Sequence, residues 1–386
     1  MARIPALPVD RGAGYPPAVM PGMPPSLDPT LCNARQDRLR SYLDAKDLDG
    51  AVFFDRHYIH GLTGYWHGQP LTPVALLVKG DGGSVLVTHD EAAKAPAASE
   101  MAIYTTNDFC TLRPNLSAEV ASVLNPFLKG LGRIGTEQQV PAALLEGPVC
   151  RDISFDYQYL RRRKDADEVD ALCYTIACAD KAYAEAKQLL EPGIDEVEIM
   201  TAMLETATYA AGEFLSGWGQ DFQAGSPGGF PRPRRAVEAG ELIPLDIGVG
   251  VRGYRCDLCR TFAVDGSPTD EQAAAHARIV EVMKSGESMM KPGQSCRALF
   301  EAVKAELDGW NGYAFFHHAG HGIGLDAHEV PRINPAWDDV FEEGDVIAFE
   351  PGLYGGDLRA GIRLENNYLI TADGFRQLSH FPLDLV

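Results

Sequence analysis

Residues 242–264 read LIPLDIGVGVRGYRCDLCRTFAV and predict a β-hairpin with one acid in each strand. The first strand is an apolar run whose single acid is Asp246. With Gly250 paired to Gly253 across a two-residue turn, Asp246 lies opposite Asp257, and Cβ atoms in such a pair are about 4.5–5.5 Å apart. Two carboxylates this close raise each other's pKa unless a cation compensates them, so the hairpin predicts a metal site.

A second hairpin with an acid pair is predicted in residues 346–370. Its first strand ends at Glu350, the segment PGLYGGD that follows has turn chemistry, and the return strand carries Glu365. Centring the turn on Asp357 and Leu358 places Glu350 opposite Glu365. Each hairpin is therefore expected to present one acid pair.

The segment HGIGLDAHE, which begins at His321, lies between the two hairpins and supplies an imidazole. Any one of these residues alone would be an ordinary strand or turn residue, and only the set indicates a site. Four carboxylates and one histidine suit two hard or borderline divalent ions, with manganese favoured and cobalt, zinc or iron as alternatives. Two ions that share a water produce a nucleophile at neutral pH, which predicts hydrolysis. The candidate ligands are Asp246, Asp257, His321, Glu350 and Glu365.

At these residues the chain resembles the creatinase/aminopeptidase P/prolidase family of pita-bread metallopeptidases. The matching motifs are Tyr-x-x-Asp-x-x-Arg-Thr at 254–261 and His-Gly-Ile-Gly-Leu-x-x-His-Glu at 321–329. The resemblance extends over nearly the whole chain. It implies that the five candidate ligands bind a dinuclear centre and that the enzyme cleaves a C–N bond.

The resemblance also implies roles for individual residues. Asp257 and Glu365 match the carboxylates that bridge the two ions, and Glu350 matches the usual general base. His317 and His328 match histidines that contact substrate or transfer protons in peptidase members.

The loop before Asp246 departs from the family pattern. Peptidase members usually carry another histidine there, near a proline, whereas GSPGGFPRPRRAVEAGELIPLD at 225–246 has none and offers Arg232 instead. An Xaa-Pro aminopeptidase or a prolidase-like peptidase is the leading interpretation. A small non-peptide amide or amidine is the alternative substrate.

Three other functions in the same fold fit less well. A lyase branch that acts on dimethylsulfoniopropionate carries acids at the positions of Gly248 and His328. Creatinases work without metal and lack the full ligand set, and non-catalytic binding proteins usually lose metal ligands. This chain keeps all five candidates.

Further substrate contacts are expected from three residues. Arg363 is predicted to orient Glu365 or to bind a substrate carboxylate, with a plain salt bridge behind the ligands as the alternative. In the resembled family the amino-terminal domain of a partner subunit can reach the active site, so Trp66 and His67 are candidates for a substrate wall, with ordinary packing as the alternative. Because the family commonly dimerises, a homodimer is expected.

The predicted architecture is α/β with two domains. A Pro-rich tail (1–30) precedes a small α/β creatinase-like domain (31–160) and an α+β pita-bread domain (161–386). Two helices that end in LLEPG and MMKPG, one hundred residues apart, each precede a second helix and an acid-bearing hairpin. This repetition predicts pseudo-twofold helix-helix-hairpin units. The run RRRK at 161–164 is interpreted as a solvated charge run where the domains meet.

Composition limits the partners and the compartment. The 386 residues are 45% hydrophobic and carry a net charge of −20, which disfavours nucleic acid and anionic membranes and leaves a small peptide or small molecule as substrate. Eight cysteines form no dense framework, which indicates reduced thiols in a cytoplasm. No run approaches the roughly 20 apolar residues of a membrane span.

Overall fold

The structure is a computed structural model that describes residues 22–90, 94–105 and 115–386. Residues 1–21, most of the predicted tail 1–30, lie outside the described residues. The first helix begins within the rest of that tail, at Pro29, because the carboxylate of Asp28 accepts the Thr30 amide at 2.7 Å and caps the helix.

The amino-terminal part is a mixed six-stranded sheet flanked by helices. The strands are arranged in the order β4-β3-β2-β1-β5-β6. They are β1 (Gly50–Phe53), β2 (Ala75–Lys79), β3 (Ser84–Thr88), β4 (Glu100–Ile103), β5 (Arg133–Thr136) and β6 (Val149–Asp152). The helices of this part are α1 (Pro29–Ala45), α2 (Arg56–Thr63), α3 (Leu116–Leu128) and α4 (Ser154–Leu160). Apolar clusters cover both faces of the sheet, with Phe53 in one cluster and Val52 in the other.

The carboxyl-terminal part repeats a helix pair followed by strands, as predicted. The helices are α5 (Ala166–Leu189), α6 (Glu196–Ala211), α7 (Asp270–Glu287) and α8 (Cys296–Leu307). The strands are β7 (Leu242–Ile247), β8 (Gly250–Val251), β9 (Tyr254–Arg255), β10 (Leu258–Ala263), β11 (Gly320–Gly322), β12 (Glu329–Ile333), β13 (Val346–Phe349), β14 (Gly352–Gly355), β15 (Ala360–Arg363), β16 (Asn366–Ile370) and β17 (Phe375–Gln377). Within the described ranges, no helix combines the length and apolar character that crossing a membrane requires.

A buried tyrosine ties the long helix of each half to its strands. In the first half, the Tyr183 hydroxyl from α5 lies 3.1 Å from the carbonyl of Leu245 and 2.5 Å from that of Leu258. In the second half, the Tyr368 hydroxyl on β16 donates to Glu287 of α7 at 2.8 Å. The helices therefore fix the strands next to which the candidate ligands lie.

The first hairpin has a register two residues away from the predicted one. Val251 pairs with Tyr254, so Asp246 lies opposite Cys259 rather than opposite Asp257. The turn residues Arg252 and Gly253 have φ values of 50° and 90°, and a β-branched valine at 251 would resist such a conformation. A shift of two residues keeps every side chain on its face, so both acids still point the same way.

The second hairpin has the predicted register. Gly352 pairs with Arg363, and Phe349 pairs with Asn366, which places Glu350 opposite Glu365 between the two paired regions. The return strand is split into β15 and β16 at this point, and the PGLYGGD segment is mostly strand β14 rather than turn. The turn is a 3₁₀ segment at Gly356–Leu358.

The RRRK run is buried, so its interpretation as a solvated charge run was wrong. Arg161, Arg162 and Lys164 are buried, and only Arg163 of the four is exposed. Arg161 pairs with Asp326 and Glu329, Lys164 donates to Glu329 at 2.8 Å, and Arg162 binds Asp345 at 2.7 Å. Acids that lie more than 150 residues away in the chain stabilise the run inside the protein.

Candidate metal centre

The two hairpins and strand β11 line one cavity of about 610 Å³. All five candidate ligands belong to its lining, together with His317, His328 and Arg363. Its charged and hydrogen-bonding walls are Gln220, Asp221, Asp246, Arg255, Asp257, His317, His318, His321, His328, Glu350, Tyr354, Arg363 and Glu365.

Three acids form the deepest group in this cavity. Asp246, Asp257 and Glu365 each offer an oxygen within 4.8 Å of the others, and all three are buried. Main-chain pairing holds them there, because Cys259 pairs with Asp246 on one side and bridges to Glu365 on the other. One oxygen of Glu365, Oε2, is buried and has no hydrogen-bond partner among the residues that the structure describes.

The pKa values of these acids show that Arg363 compensates only part of their charge. Burial, together with Asp257 and other acids and against the opposing charge of Arg363, raises the pKa of Asp246 to about 8. Burial also raises the pKa of Asp257, and burial with the neighbouring carboxylates raises that of Glu365 well above its ordinary value. Divalent cations would compensate this charge and use the orphaned Glu365 oxygen, so the donors fit the metal ions that the sequence predicts.

His321 and Glu350 lie next to the three acids. His321 Nδ1 lies 2.9 Å from the Gly322 carbonyl, which can only accept, so Nε2 is left without a proton when the ring is neutral. Nε2 is 3.4 Å from Glu350 and 3.8 Å from Asp257. Burial opposes ionisation of Glu350, but the hydrogen bond with His321 and the charge of His318 lower its pKa to about 2.

Three further histidines line the same wall. His317 Nδ1 donates to the carbonyl of His318 at 2.6 Å. Its Nε2 accepts a hydrogen bond from the Tyr354 hydroxyl at 2.7 Å. His318 Nδ1 is 3.4 Å from Glu350. The His328 ring lies 4.0 Å from that of His321. Burial lowers the pKa values of both His317 and His328 to about 4.

Comparison with known proteins gives one family for the chain. The sequence model of metallopeptidase family M24 matches residues 172–372, more than half of the chain. The chain belongs to metallopeptidase family M24. A model of the creatinase/prolidase N-terminal domain matches residues 35–147. This M24 protein is therefore a metal-dependent hydrolase with a creatinase-like amino-terminal region.

Relatives of this M24 protein cover nearly all of it at low identity. The Xaa-Pro dipeptidase of Pyrococcus horikoshii is 24% identical over 376 residues, which cover 92% of this chain and 99% of that protein. Among solved structures, the Xaa-Pro dipeptidase from Bacillus anthracis has a TM-score of 0.76 at 22% identity and covers 92% and 99% of the two chains. The prolidase from Pyrococcus horikoshii OT3 has a TM-score of 0.72 at 21% identity and covers 92% and 100%. These solved structures establish the pita-bread fold.

Arg363 lies in the M24 cavity, but it does not orient Glu365. Its guanidinium donates to Asp246 at 2.6 Å and also pairs with Asp221. It approaches the Tyr354 hydroxyl at 3.4 Å. Two carboxylates therefore already neutralise the arginine that was predicted to bind a substrate carboxylate.

Arg232 does not line the cavity. Its guanidinium contacts the buried carboxylate of Glu196 at 3.1 Å and the Ala224 carbonyl at 2.6 Å. The position before Asp246 at which peptidases usually have a histidine is thus filled by a residue whose partner is on α6. The predicted contact of Arg232 with substrate therefore has no support from the lining of this cavity.

Trp66 and His67 also lie away from the cavity of their own chain. Trp66 stacks on His57 with ring centroids 5.8 Å apart. His67 is buried, and its two nitrogens contact the Tyr65 hydroxyl at 3.0 Å and the Thr72 carbonyl at 2.7 Å. Their role as a substrate wall could arise only through a second copy of the chain.

Sequence reasoning missed five polar cavity residues, which are Gln220, Asp221, Arg255, His318 and Tyr354. His318 had a signal, because it lies beside His317 in the HHAGH segment. Tyr354 was assigned to a turn, although it lies on strand β14. Asp221 and Arg255 had no signal of their own, since an acid in a loop and an arginine in a hairpin are common.

Proposed function

We propose that this M24 protein is a Xaa-Pro dipeptidase that binds two divalent ions through Asp246, Asp257, His321, Glu350 and Glu365. The observation that carries the proposal is the buried group of three acids next to His321 and Glu350, in which Arg363 pairs with Asp246 alone. The substrate class is supported by relatives named Xaa-Pro dipeptidase that cover nearly the whole chain. Manganese is the favoured metal because most donors are carboxylates, with cobalt, zinc and iron as alternatives.

The five ligands divide into bridging and terminal donors. Asp257 and Glu365 would bridge the two ions, while Asp246, His321 and Glu350 would complete their coordination. When bound, the ions supply an ionised water as nucleophile and polarise the carbonyl of the scissile bond. The chain contributes a rigid donor set on two hairpins, so that little reorganisation accompanies the reaction.

Glu350 would act as the general base. It is buried and ionised, and three histidine rings hold it in place, with His318 and His321 nitrogens each 3.4 Å away. From this position it can accept the proton of the attacking water and pass it to the leaving nitrogen.

His317 and His328 would act as neutral groups at the substrate. His317 accepts from the Tyr354 hydroxyl, so its first effect is to orient that hydroxyl towards the cavity. His328 lies against the ring of His321 and can donate a hydrogen bond to the developing oxyanion.

We also propose that the protein is a cytoplasmic homodimer. Within the described ranges, Cys32, Cys150, Cys173, Cys178, Cys256, Cys259 and Cys296 are all free thiols, which suits a reducing compartment. In a dimer, Trp66 and His67 of one copy could approach the cavity of the other. Light scattering of the purified protein would measure the oligomeric state.

A substrate panel tests the proposed activity. The protein is loaded with Mn²⁺ and incubated with Gly-Pro, Gly-Pro-Ala and the control Gly-Ala, and elemental analysis counts the ions. We expect about two ions per chain and release of glycine from Gly-Pro but not from Gly-Ala. Full metal loading without cleavage of either proline peptide would contradict the Xaa-Pro assignment and favour a small non-peptide amide.

A further inference from the structure

Arg255 is a cavity-lining cation that the proposed mechanism does not use. It lies on the return strand of the first hairpin, two residues before Asp257. A guanidinium has five N–H donors, and within the described part of the chain the Arg255 side chain makes one hydrogen bond, from Nη2 to the Trp218 carbonyl at 3.1 Å. Its Nε is buried without a partner, and among the ion pairs of the described residues none involves Arg255.

The contrast with Arg363 shows which arginine is available to a ligand. Arg363 is bound by Asp246 and Asp221, so a substrate carboxylate would have to displace one of them. Among the described residues, Arg255 has no carboxylate to displace. Although the protein has a net charge of −20, this partly exposed arginine faces the reaction cavity, where an anion can bind it.

Gly248 makes the room in which the Arg255 guanidinium lies. A Cβ atom built on Gly248 would be 2.2 Å from Arg255 Nε and 2.6 Å from its Nη2. Gly248 has no positive φ, so the backbone itself does not require glycine. Any side chain at 248 would push the guanidinium away, and an acid there would neutralise it.

The distance to the candidate ligands suits a short substrate. Arg255 and Asp257 both line the cavity, and Cα atoms two residues apart in extended chain are about 7 Å apart, similar to the length of an arginine side chain. A carboxylate one residue beyond a scissile bond at Asp257 therefore comes within reach of Arg255. The terminal carboxylate of a longer peptide would lie farther away.

We propose that Arg255, in the space left by Gly248, binds the free carboxylate of the substrate and so selects dipeptides over longer peptides and C-terminal amides. This inference rests on the proposed Xaa-Pro activity for its choice of substrate. The bidentate geometry of guanidinium and carboxylate supplies the recognition.

The test compares Gly-Pro with glycyl-prolinamide on Mn²⁺-loaded protein. Because hydrogen bonds between charged groups are among the strongest, we expect wild type to prefer the acid by about 10- to 100-fold in kcat/KM. Arg255→Gln should remove this preference by raising KM for Gly-Pro while leaving the amide unchanged. Arg255→Lys should restore part of it.

Two further variants separate recognition from folding. Gly248→Ala keeps the charge of Arg255 but displaces its guanidinium. It should therefore lose the preference for Gly-Pro over the amide, as Arg255→Gln does. Arg252→Gln removes the same charge from the turn of the same hairpin, where Arg252 binds Glu213 at 2.8 Å, and should keep the wild-type ratio. Equal loss on both substrates in Arg255→Gln would mean a structural role and would overturn the inference, as would an acid preference that survives that substitution.

Calorimetry measures carboxylate binding without turnover, so it tests the role of Arg255 independently of the proposed activity. Mn²⁺-loaded wild type and Arg255→Gln are titrated with N-acetylglycine and with N-acetylglycinamide. Tighter binding of the acid by wild type alone supports a carboxylate site at Arg255, whatever the natural substrate is. Equal binding of acid and amide, or an acid preference shared by both proteins, overturns it. Failure to cleave any proline peptide would count against the proposed activity only.

Discussion

Two groups of buried charge lie close together in this protein and are built in opposite ways. At the domain junction, Glu329 is fully buried and is bound by Arg161 and by Lys164. In the cavity, Glu365 is 1% exposed, and its Oε2 has no hydrogen-bond partner in the described ranges. Burial would raise both pKa values, but Arg161 and Lys164 lower that of Glu329 to about 2, whereas nearby acids raise that of Glu365 further.

The difference separates an acid that serves the fold from one that awaits a cation. Glu329 has its counter-charges in the chain, so it is ionised in the folded protein and contributes to stability. Among the described residues, Glu365 has no counter-charge within hydrogen-bond reach. Its ionisation therefore destabilises the folded protein until a cation binds. A buried acid is therefore evidence for a metal site only when the chain does not compensate it.

The largest effect is expected from Asp257→Ala. It removes a proposed bridging donor, and because the ions lower the pKa of the attacking water by about nine units, turnover of Gly-Pro should fall by roughly 10⁴-fold or more. Elemental analysis should show fewer ions per chain. The control is Asp81→Ala, which alters an exposed acid and should keep both properties. Full metal content with normal turnover would remove Asp257 from the ligand set.

Glu329→Gln tests the compensated group. It leaves the buried cations Arg161 and Lys164 without their carboxylate, and breaking a buried pair in this way costs about 3–5 kcal/mol. Urea unfolding at pH 7 should show this loss in the free energy of unfolding. The exposed Glu343→Gln is the matched control and should change it by less than about 0.5 kcal/mol. A loss that small in Glu329→Gln would contradict the role assigned to the pair.

The fall in the free energy of unfolding at acid pH is a second test of Glu329. The pKa of Glu329 is about 2 in the folded protein against an ordinary value of 4.5, so its contribution is full above pH 4.5 and is lost as pH falls towards 2. That contribution is about 3 kcal/mol, from 1.36 kcal/mol per pKa unit. Wild type should lose stability faster than Glu329→Gln over this range in pH-dependent urea unfolding. Parallel curves would show that Glu329 does not set the acid limb.

The smallest effect is expected from Glu365→Gln in metal-free protein. The pKa of Glu365 is raised in the folded state, so ionising it at neutral pH opposes folding, and the penalty grows as pH rises above its unfolded value. After treatment with EDTA, the variant should be more stable than wild type by on the order of 1 kcal/mol at pH 7. With Mn²⁺ present the order should reverse. A variant less stable in both conditions would contradict the comparison.

The sequence could locate the candidate ligands because strand patterns and turns are local. The register of the Glu350 and Glu365 hairpin was predicted correctly because the turn was centred on Asp357 and Leu358, and the observed 3₁₀ turn lies at these residues. The register of the first hairpin was predicted two residues away from the observed one, because that register depends on positive φ values at Arg252 and Gly253. The face of each acid was nevertheless correct, because that face depends only on the two-residue period of a strand.

Charged side chains whose partners are distant could not be assigned from the sequence. Arg161 was expected in solvent, but its partners Asp326 and Glu329 come from another part of the chain. Arg232 was expected at the substrate, but Glu196 binds it instead. Such assignments require knowledge of which acids the fold brings near each base.

The guanidinium of Arg260 links the metal hairpins to the end of the chain. It is fully buried and donates to the carbonyls of Cys259 and Glu365 and to those of Phe381 and Pro382, at 2.5 to 3.0 Å. The last few residues therefore brace the main chain beside the candidate ligands. A change of main-chain conformation at Phe381 or Pro382 would therefore reach Cys259 and Glu365 through a single side chain.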